Sequence, residues 1–237
     1  APQEKSVNLF KSLAYTFKDR SFVIWMCVYS VMTFGVQLFL GGINEYFSYT
    51  GMSMILVMLA AFVPVPFTLV LYNKLIEKHG FRFAFRYVLL VFAAGMTALF
   101  GVSFLHEGTL RTVLSIIGGL ISSFSVGALF AVAYSVPSQL AAEDEARTGI
   151  TRSAMYFAVQ GLFAGVASGI ATGIVLVVLK QYGGMSYLTL ISAIAMAVSL
   201  AGTWLLPHSI ARLGKKEKTE NQKFVGAETN TESEENN

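Results

Sequence analysis

The amino-acid sequence predicts an all-α membrane protein of six transmembrane helices. Three observations predict it. Hydrophobic residues make up 54% of the chain and charged residues 13%, about half the charged share of a soluble domain, and mean hydropathy is +0.60. The charges cluster into short stretches between long uncharged ones, the pattern a bilayer imposes, because a charge at its centre costs roughly 2.5–3.5 kcal/mol. Finally, Lys and Arg occupy alternate connections between the apolar stretches. These stretches are too long and too uniformly apolar for barrel strands, so helices are the spanning element.

A hydrocarbon core of ~30 Å needs ~20 apolar helical residues. Six segments meet this length: 22–42, 52–72, 87–105, 110–136, 155–179 and 185–206. The first carries Tyr29, Thr33 and Gln37, four residues apart and hence on one helical face. The second has Pro64 and Pro66 midway; each removes a backbone donor and predicts a kink. The third is bounded by Tyr87 and Leu105. The fourth has Arg111 near its start, then Ser122, Ser125, Tyr134 and Ser135. The fifth repeats the spacing of four with Tyr156 and Gln160, and again with Gly161, Gly165, Gly169 and Gly173, beside Ser168 and Thr172. The sixth runs from Met185 to Leu206.

Basic residues set the predicted orientation. Fifteen of the 17 Lys and Arg lie in the N-terminal lead, the second and fourth connections and the C-terminal tail; the other three connections hold only Arg111 and Lys180. Both termini are therefore predicted to be cytoplasmic. Residues 1–20 read as a cytoplasmic linker in which Val7, Phe10, Leu13, Ala14 and Phe17 share one face behind a cap at Ser6, with Asn8, Lys11 and Lys18 opposite: an amphipathic surface helix. Residues 21–208 form the six-helix domain, and 209–237, rich in Glu, Asn, Lys and Thr, form a disordered cytoplasmic tail. The chain opens on Ala1 and is read as part of a longer one.

Several functions are disfavoured by composition. A net charge of +3 without a dense basic run gives nucleic acid no footing. Cys27, the one cysteine, permits no disulfide framework and no thiolate zinc site, and is expected as a small buried hydrophobe. His79, His106 and His208 fall at separated helix ends. Glu143, Asp144 and Glu145 beside Arg147 read as a solvated cytoplasmic loop and not as catalytic carboxylates. No phosphate-binding loop ends in Lys-Ser or Lys-Thr. No enzyme, resident metal or cofactor is expected.

Polar groups within hydrocarbon must be paired or must face water. For single Ser and Thr residues, interhelical hydrogen bonds are the better reading. For Gln37 and Gln160, whose four hydrogen-bonding sites are harder to satisfy, a shared polar cavity is favoured, which would also take in Tyr29, Thr33 and Tyr156. The glycine stripe Gly161, Gly165, Gly169 and Gly173 predicts close backbone packing against another helix.

The loop from Asn73 to Arg82 resembles the signature loop of the major facilitator superfamily. Asn73, Leu75 and Gly80 match it, Glu77 and Lys78 replace its acid–arginine pair, and Arg82 falls one place late. In that superfamily the loop governs conformational exchange. Three further stretches are similar to the glycoside–pentoside–hexuronide:cation symporters, the family of melibiose permease: 17–23, 136–145 and 148–160. They correspond to the approach to the family's seventh helix, the close of its tenth and the approach to its eleventh. Where melibiose permease carries a lysine in that eleventh helix, the aligned position here is Gly165.

The resemblance implies the C-terminal six-helix half of a twelve-helix transporter in the plasma membrane. It would carry a sugar or glycoside together with Na⁺ or H⁺, with the ion site outside this half. Its expected partners are the small-molecule substrate, membrane lipid and an N-terminal six-helix half. The expected substrate-binding residues are Tyr29, Thr33, Gln37, Tyr156 and Gln160. No acid within the predicted spans could bind the coupling ion; Glu45, at an external helix end, reads as a solvated cap. The alternatives are a carrier of the same fold for a non-sugar solute or lipid, and a non-transporting membrane scaffold.

Overall fold

The structure, a computed structural model, describes residues 17–18, 20–149 and 153–206. Six helical stretches within it are long and apolar enough to span a membrane. The first span is helix α1, Arg20–Thr50. The second, Met54–His79, consists of α2, Met54–Phe62, and α3, Val65–His79. The third is α4, Phe81–Val102, and the fourth is α5, Thr109–Thr148. The fifth, Ser153–Gln181, comprises α6, Ser153–Ile170, a π turn at Ala171–Val175, and α7, Leu176–Gln181. The sixth is α8, Tyr187–Gly202, closed by a 3₁₀ turn at Thr203–Leu205. The spans alternate in direction, so one end of the bundle gathers Thr50, Val102, Thr109 and Gln181 (the Thr50 end). The other gathers His79, Phe81 and Thr148 (the His79 end).

The proline pair interrupts the second span as expected: the helix stops at Phe62 and restarts at Val65. The missing amide donors leave the α-helical ladder incomplete there, and the restart is stitched by Phe67 and Thr68 N–H donating to the Pro64 carbonyl at 3.0 Å each. Pro137 acts otherwise. It lies inside α5, and the helix continues through it to Thr148. The acidic cluster expected in a loop is therefore helical: Glu143 and Glu145 are exposed and Asp144 is buried, with Arg147 donating to Asp144 at 3.3 Å. The first span also outruns its predicted end at Gly42 by two turns, taking in Asn44, Glu45 and Tyr46.

The core sits where the first, third, fourth and sixth spans meet. About half of the apolar window of the first and fourth spans is buried, against 11% of the second and 22% of the fifth. Aromatic rings fill the centre: Trp25, Phe81 and Phe85 are at most 1% exposed, Trp25 lies edge-on to Phe81 and tilted to Phe85, and the two phenylalanines stack. Glycines seat the closest approaches. A Cβ at Gly119 would fall 2.8 Å from the Val57 carbonyl oxygen, and one at Gly41 would fall 2.6 Å from Thr172 Cγ2. Hydroxyls tie spans together where the sequence left them no water: Ser125 donates to the Val88 carbonyl at 2.8 Å, Ser199 to that of Val28 at 3.0 Å, and Tyr46 to that of Leu99 at 2.9 Å. Ser122 and Ser135 bond instead to carbonyls of their own helix.

The stripe's expected helix partner is not found within this bundle, and the expectation for Cys27 is corrected. The glycine stripe does not pack within the bundle: Gly161, Gly165, Gly169 and Gly173 are exposed, and a Cβ at any of them meets nothing within 4 Å among the described residues. The fifth span turns its other face inward, burying Tyr156, Val159, Gln160 and Ala167. Cys27 is exposed on the outer face of α1 and not buried. The predicted amphipathic helix at Val7–Phe17, apart from Phe17 itself, the approach to the fifth span at 150–152 and the tail from 207 onward lie outside the described residues.

Candidate functional site

A hollow of about 90 Å³ opens among the first four spans. Tyr29, Thr33 and Gln37 form its polar edge on α1, each ~6 Å above the last along the helix axis. Ser122 adds a hydroxyl from α5, and the remaining lining is apolar, including Met32, Met58, Phe62, Met96 and Phe130. The broken second span borders it through Val57, Met58, Ala61 and Phe62, so the Pro64 interruption lies next to the hollow.

Tyr29 is held from behind. Its ring stacks on Trp25 at 5.6 Å and 29°. Trp25 Nε1 donates to Gln160 Oε1 at 3.0 Å, and Gln160 Nε2 donates to the Ala133 carbonyl at 2.6 Å. Gln160 is 5% exposed and thus joins the first, fourth and fifth spans. Tyr156 is fully buried, edge-on to Phe22 at 4.8 Å. Neither Tyr156 nor Gln160 lines the hollow. Of the five expected substrate residues, the structure gathers Tyr29, Thr33 and Gln37 on one wall and places Tyr156 and Gln160 behind it as packing and tie. Gln160 is outside the lining of the hollow, and its amide is held at one end by a tryptophan N–H and at the other by a backbone carbonyl.

The signature loop is not a loop over most of its length. Asn73, Glu77 and Lys78 lie in the last turns of α3, and Gly80 makes the break with φ 85°, a region that L side chains rarely enter. Arg82 and Arg86 then reach from the first turns of α4 to the end of the sixth span. Arg82 donates through Nε to the Thr203 carbonyl at 3.1 Å and through Nη2 to that of Trp204 at 2.7 Å. Arg86 donates to Thr203 Oγ1 at 2.8 Å and lies 4.7 Å from the centre of the Trp204 ring. Cations at a helix C-terminus meet its unpaired carbonyls and its negative dipole end. The two arginines therefore clamp the second-to-third connection onto the sixth span. This clamp was not foreseen, although Arg82 and Arg86, spaced by four at a helix start, were its visible signal.

At the Thr50 end, Glu45 of α1 pairs with Lys180 of α7. Glu45 is thus an ion-pair partner bridging the first and fifth spans and not merely a solvated cap.

Six apolar helices around an off-centre hollow, with an arginine clamp at one end, define a multi-pass membrane domain. The chain matches the family model described as MFS/sugar transport protein over residues 1–214. It belongs to that family, and is a transporter of the major facilitator superfamily. Comparison with curated proteins and with solved structures gave no match.

Proposed function

We propose that the chain is the C-terminal six-helix half of a secondary transporter that moves a sugar or glycoside with a cation by alternating access. The observation that carries this reading is the hollow. Its volume of about 90 Å³ falls short of the ~300–1,000 Å³ that enclose a small molecule, and its polar residues stand on one edge. A second helical body facing it would complete the site. In transporters of this architecture, substrate binds near the midplane between two halves and each half rocks against the other. The exposed faces of the second and fifth spans suit such a body.

In the proposed orientation both termini are cytoplasmic and the Thr50 end is outside. Tyr29, Thr33 and Gln37 would hydrogen-bond sugar hydroxyls, while the methionines and phenylalanines would take the apolar face of a sugar ring or of an aglycone. The coupling Na⁺ or H⁺ would bind in the other half. The apolar share of the lining also favours a second reading, an amphipathic non-sugar solute or lipid on the same fold.

The test is uptake into liposomes by the reconstituted transporter, with both halves present, under imposed Na⁺ or proton gradients. Glycosides, pentoses, hexuronides and amphipathic solutes would be compared. Gradient-driven sugar uptake, weakened about ten- to a hundredfold in affinity by Gln37→Ala, supports the proposal. Uptake restricted to amphipathic non-sugars would transfer it to the second reading. Saturable uptake by this six-helix chain alone would refute the half-transporter.

A further inference from the structure

A second hollow, of about 210 Å³, lies at the Thr50 end, apart from the one on α1. Gly51 and Ser53 wall one side, from the junction of α1 and α2; Glu107, Arg111, Thr112 and Ser115 wall the other. Three features make it electropositive. Arg111 is 8% exposed, and its Nε is buried without a hydrogen-bond partner among the described residues. A guanidinium carries five donors, no acceptor, and a permanent charge, so burying it uncompensated is unfavourable. The other two features are helix N-termini. Helix α2 begins behind Ser53 and α5 behind Gly108, both of which line the hollow. Neither N-terminus is capped by a side chain, so first-turn N–H groups and two positive dipole ends converge near Arg111.

The protein's own acid does not neutralise this charge. Glu107 lines the same hollow, yet no ion pair joins it to Arg111 among the described residues. Its carboxylate lies instead over Gly51, where an added Cβ would be 3.3 Å from Oε1. Ser115, 2% exposed, donates its proton to the Thr112 carbonyl at 2.8 Å. The donor set is thus one buried guanidinium and the Ser53 hydroxyl, beside the N-terminal ends of two helices at Ser53 and Gly108, on a space large enough for a small group.

We propose that this hollow is an oxyanion site that takes a carboxylate or phosphate group on Arg111 and the N-termini of α2 and α5. Bidentate pairing with a planar or tetrahedral oxyanion matches the guanidinium fork, and helix N-termini bind such groups through their free amides. Glu107 is the rim carboxylate that a bound anion must tolerate, so it weakens binding.

The test is thermal unfolding of the full-length protein in uncharged detergent at fixed ionic strength. The probes are glucuronate, inorganic phosphate and a short-chain phosphatidylglycerol, with glucose as the neutral control. Wild type should melt a few degrees higher with at least one of the three anions and not with glucose. Arg111→Gln should abolish the shift, and Glu107→Gln should enlarge it. Arg111→Lys keeps the charge without the fork and should weaken affinity roughly tenfold. Stabilisation by glucuronate or phosphate places the oxyanion on a solute; stabilisation by phosphatidylglycerol alone places it on a lipid headgroup. Because Arg111→Gln removes an uncompensated charge, it should melt no lower than wild type without anion. A lower melting temperature there would show that the protein itself satisfies the guanidinium and would overturn the site. So would the lack of a shift with all three anions, or an equal shift in Arg111→Gln.

Discussion

Gln160 donates its side-chain amide to the Ala133 carbonyl, the same carbonyl that Pro137, four residues further along α5, cannot serve with a backbone N–H. A proline inside a membrane helix leaves one acceptor empty, and a neighbouring helix supplies the donor here. The other end of the amide accepts from Trp25, which can only donate, so the orientation of the Gln160 amide is fixed by its two partners. Trp25 in turn backs Tyr29. One glutamine thereby lets α5 pass through Pro137 and steadies the polar edge of the hollow.

Gln160→Ala should therefore act on stability. It leaves the Trp25 N–H and the Ala133 carbonyl buried and unpaired, each at about 1–3 kcal/mol. We expect a clear fall in melting temperature in detergent, with near wild-type substrate affinity in the protein that survives. Gln37→Ala should show the reverse, weakened affinity at unchanged melting temperature. A large affinity loss for Gln160→Ala without destabilisation would place its amide in the substrate site after all.

The same pair shows how far the sequence could be read. Six spans, the Pro64 break and the polar edge of Tyr29, Thr33 and Gln37 were legible because they depend on one segment each: length, a missing donor, a spacing of four. The role of Gln160 depends on what Pro137 frees on another helix, which no single segment records. The glycine stripe was legible only in part, for a related reason. Spacing shows that a face is smooth but not which way it turns. Gly41, Gly42 and Gly95, which seat neighbouring spans, sit in no repeat of four and only their partners identify them.

Glycines that seat neighbouring spans should tolerate little. At Gly119 an added Cβ would press on the backbone oxygen of Val57 at 2.8 Å, and a carbonyl held in a helix cannot turn away. Gly119→Ala should separate the second and fourth spans at a cost of about 1–3 kcal/mol. At Gly42 the atoms met are the Leu188 and Leu176 side-chain ends, which can shift rotamer, so Gly42→Ala should cost less. Melting temperatures of the two variants give the order, and the reverse order would contradict this packing.

The arginine clamp predicts coupling between Arg86 and Thr203. The hydroxyl of Thr203 is fully buried and accepts from Arg86, while the Thr203 carbonyl accepts from Arg82. A double-mutant cycle of Arg86→Gln with Thr203→Val should return an interaction energy of about 0.5–1.5 kcal/mol. Additive effects would mean that the clamp holds nothing. The Glu45–Lys180 pair, about 40% exposed on both sides, should contribute at most ~1 kcal/mol and lose that in salt.

Orientation is open to direct measurement. Cys27 is exposed, so labelling requires a Cys27→Ser background. Ser48, Thr109 and Tyr182 at the Thr50 end, and His79 and Ala146 at the His79 end, are all exposed. Single cysteines at the first three should react with an impermeant thiol reagent added outside intact cells. Those at the last two should react only after the membrane is opened. The opposite pattern would invert the proposed topology.

The final prediction concerns the open stripe. A Cβ at Gly161, Gly165, Gly169 or Gly173 meets nothing within 4 Å among the described residues, so a side chain there points away from them. Four glycines in a membrane helix nonetheless forgo about 0.5–1 kcal/mol each relative to alanine, a loss that close contact with another helix would offset. If the stripe seats a second helical body, Gly165→Leu and Gly169→Leu should leave insertion and expression near wild type while reducing uptake at least roughly tenfold. The control must be chosen from the structure. Val175 is half-buried against the core, whereas Ile174 is 59% exposed, so Ile174→Leu is the substitution that should be silent. Uptake measured at matched expression separates the outcomes. Equal tolerance at Gly165, Gly169 and Ile174 would show that the whole face is turned to lipid and that the second body, if it docks, docks elsewhere.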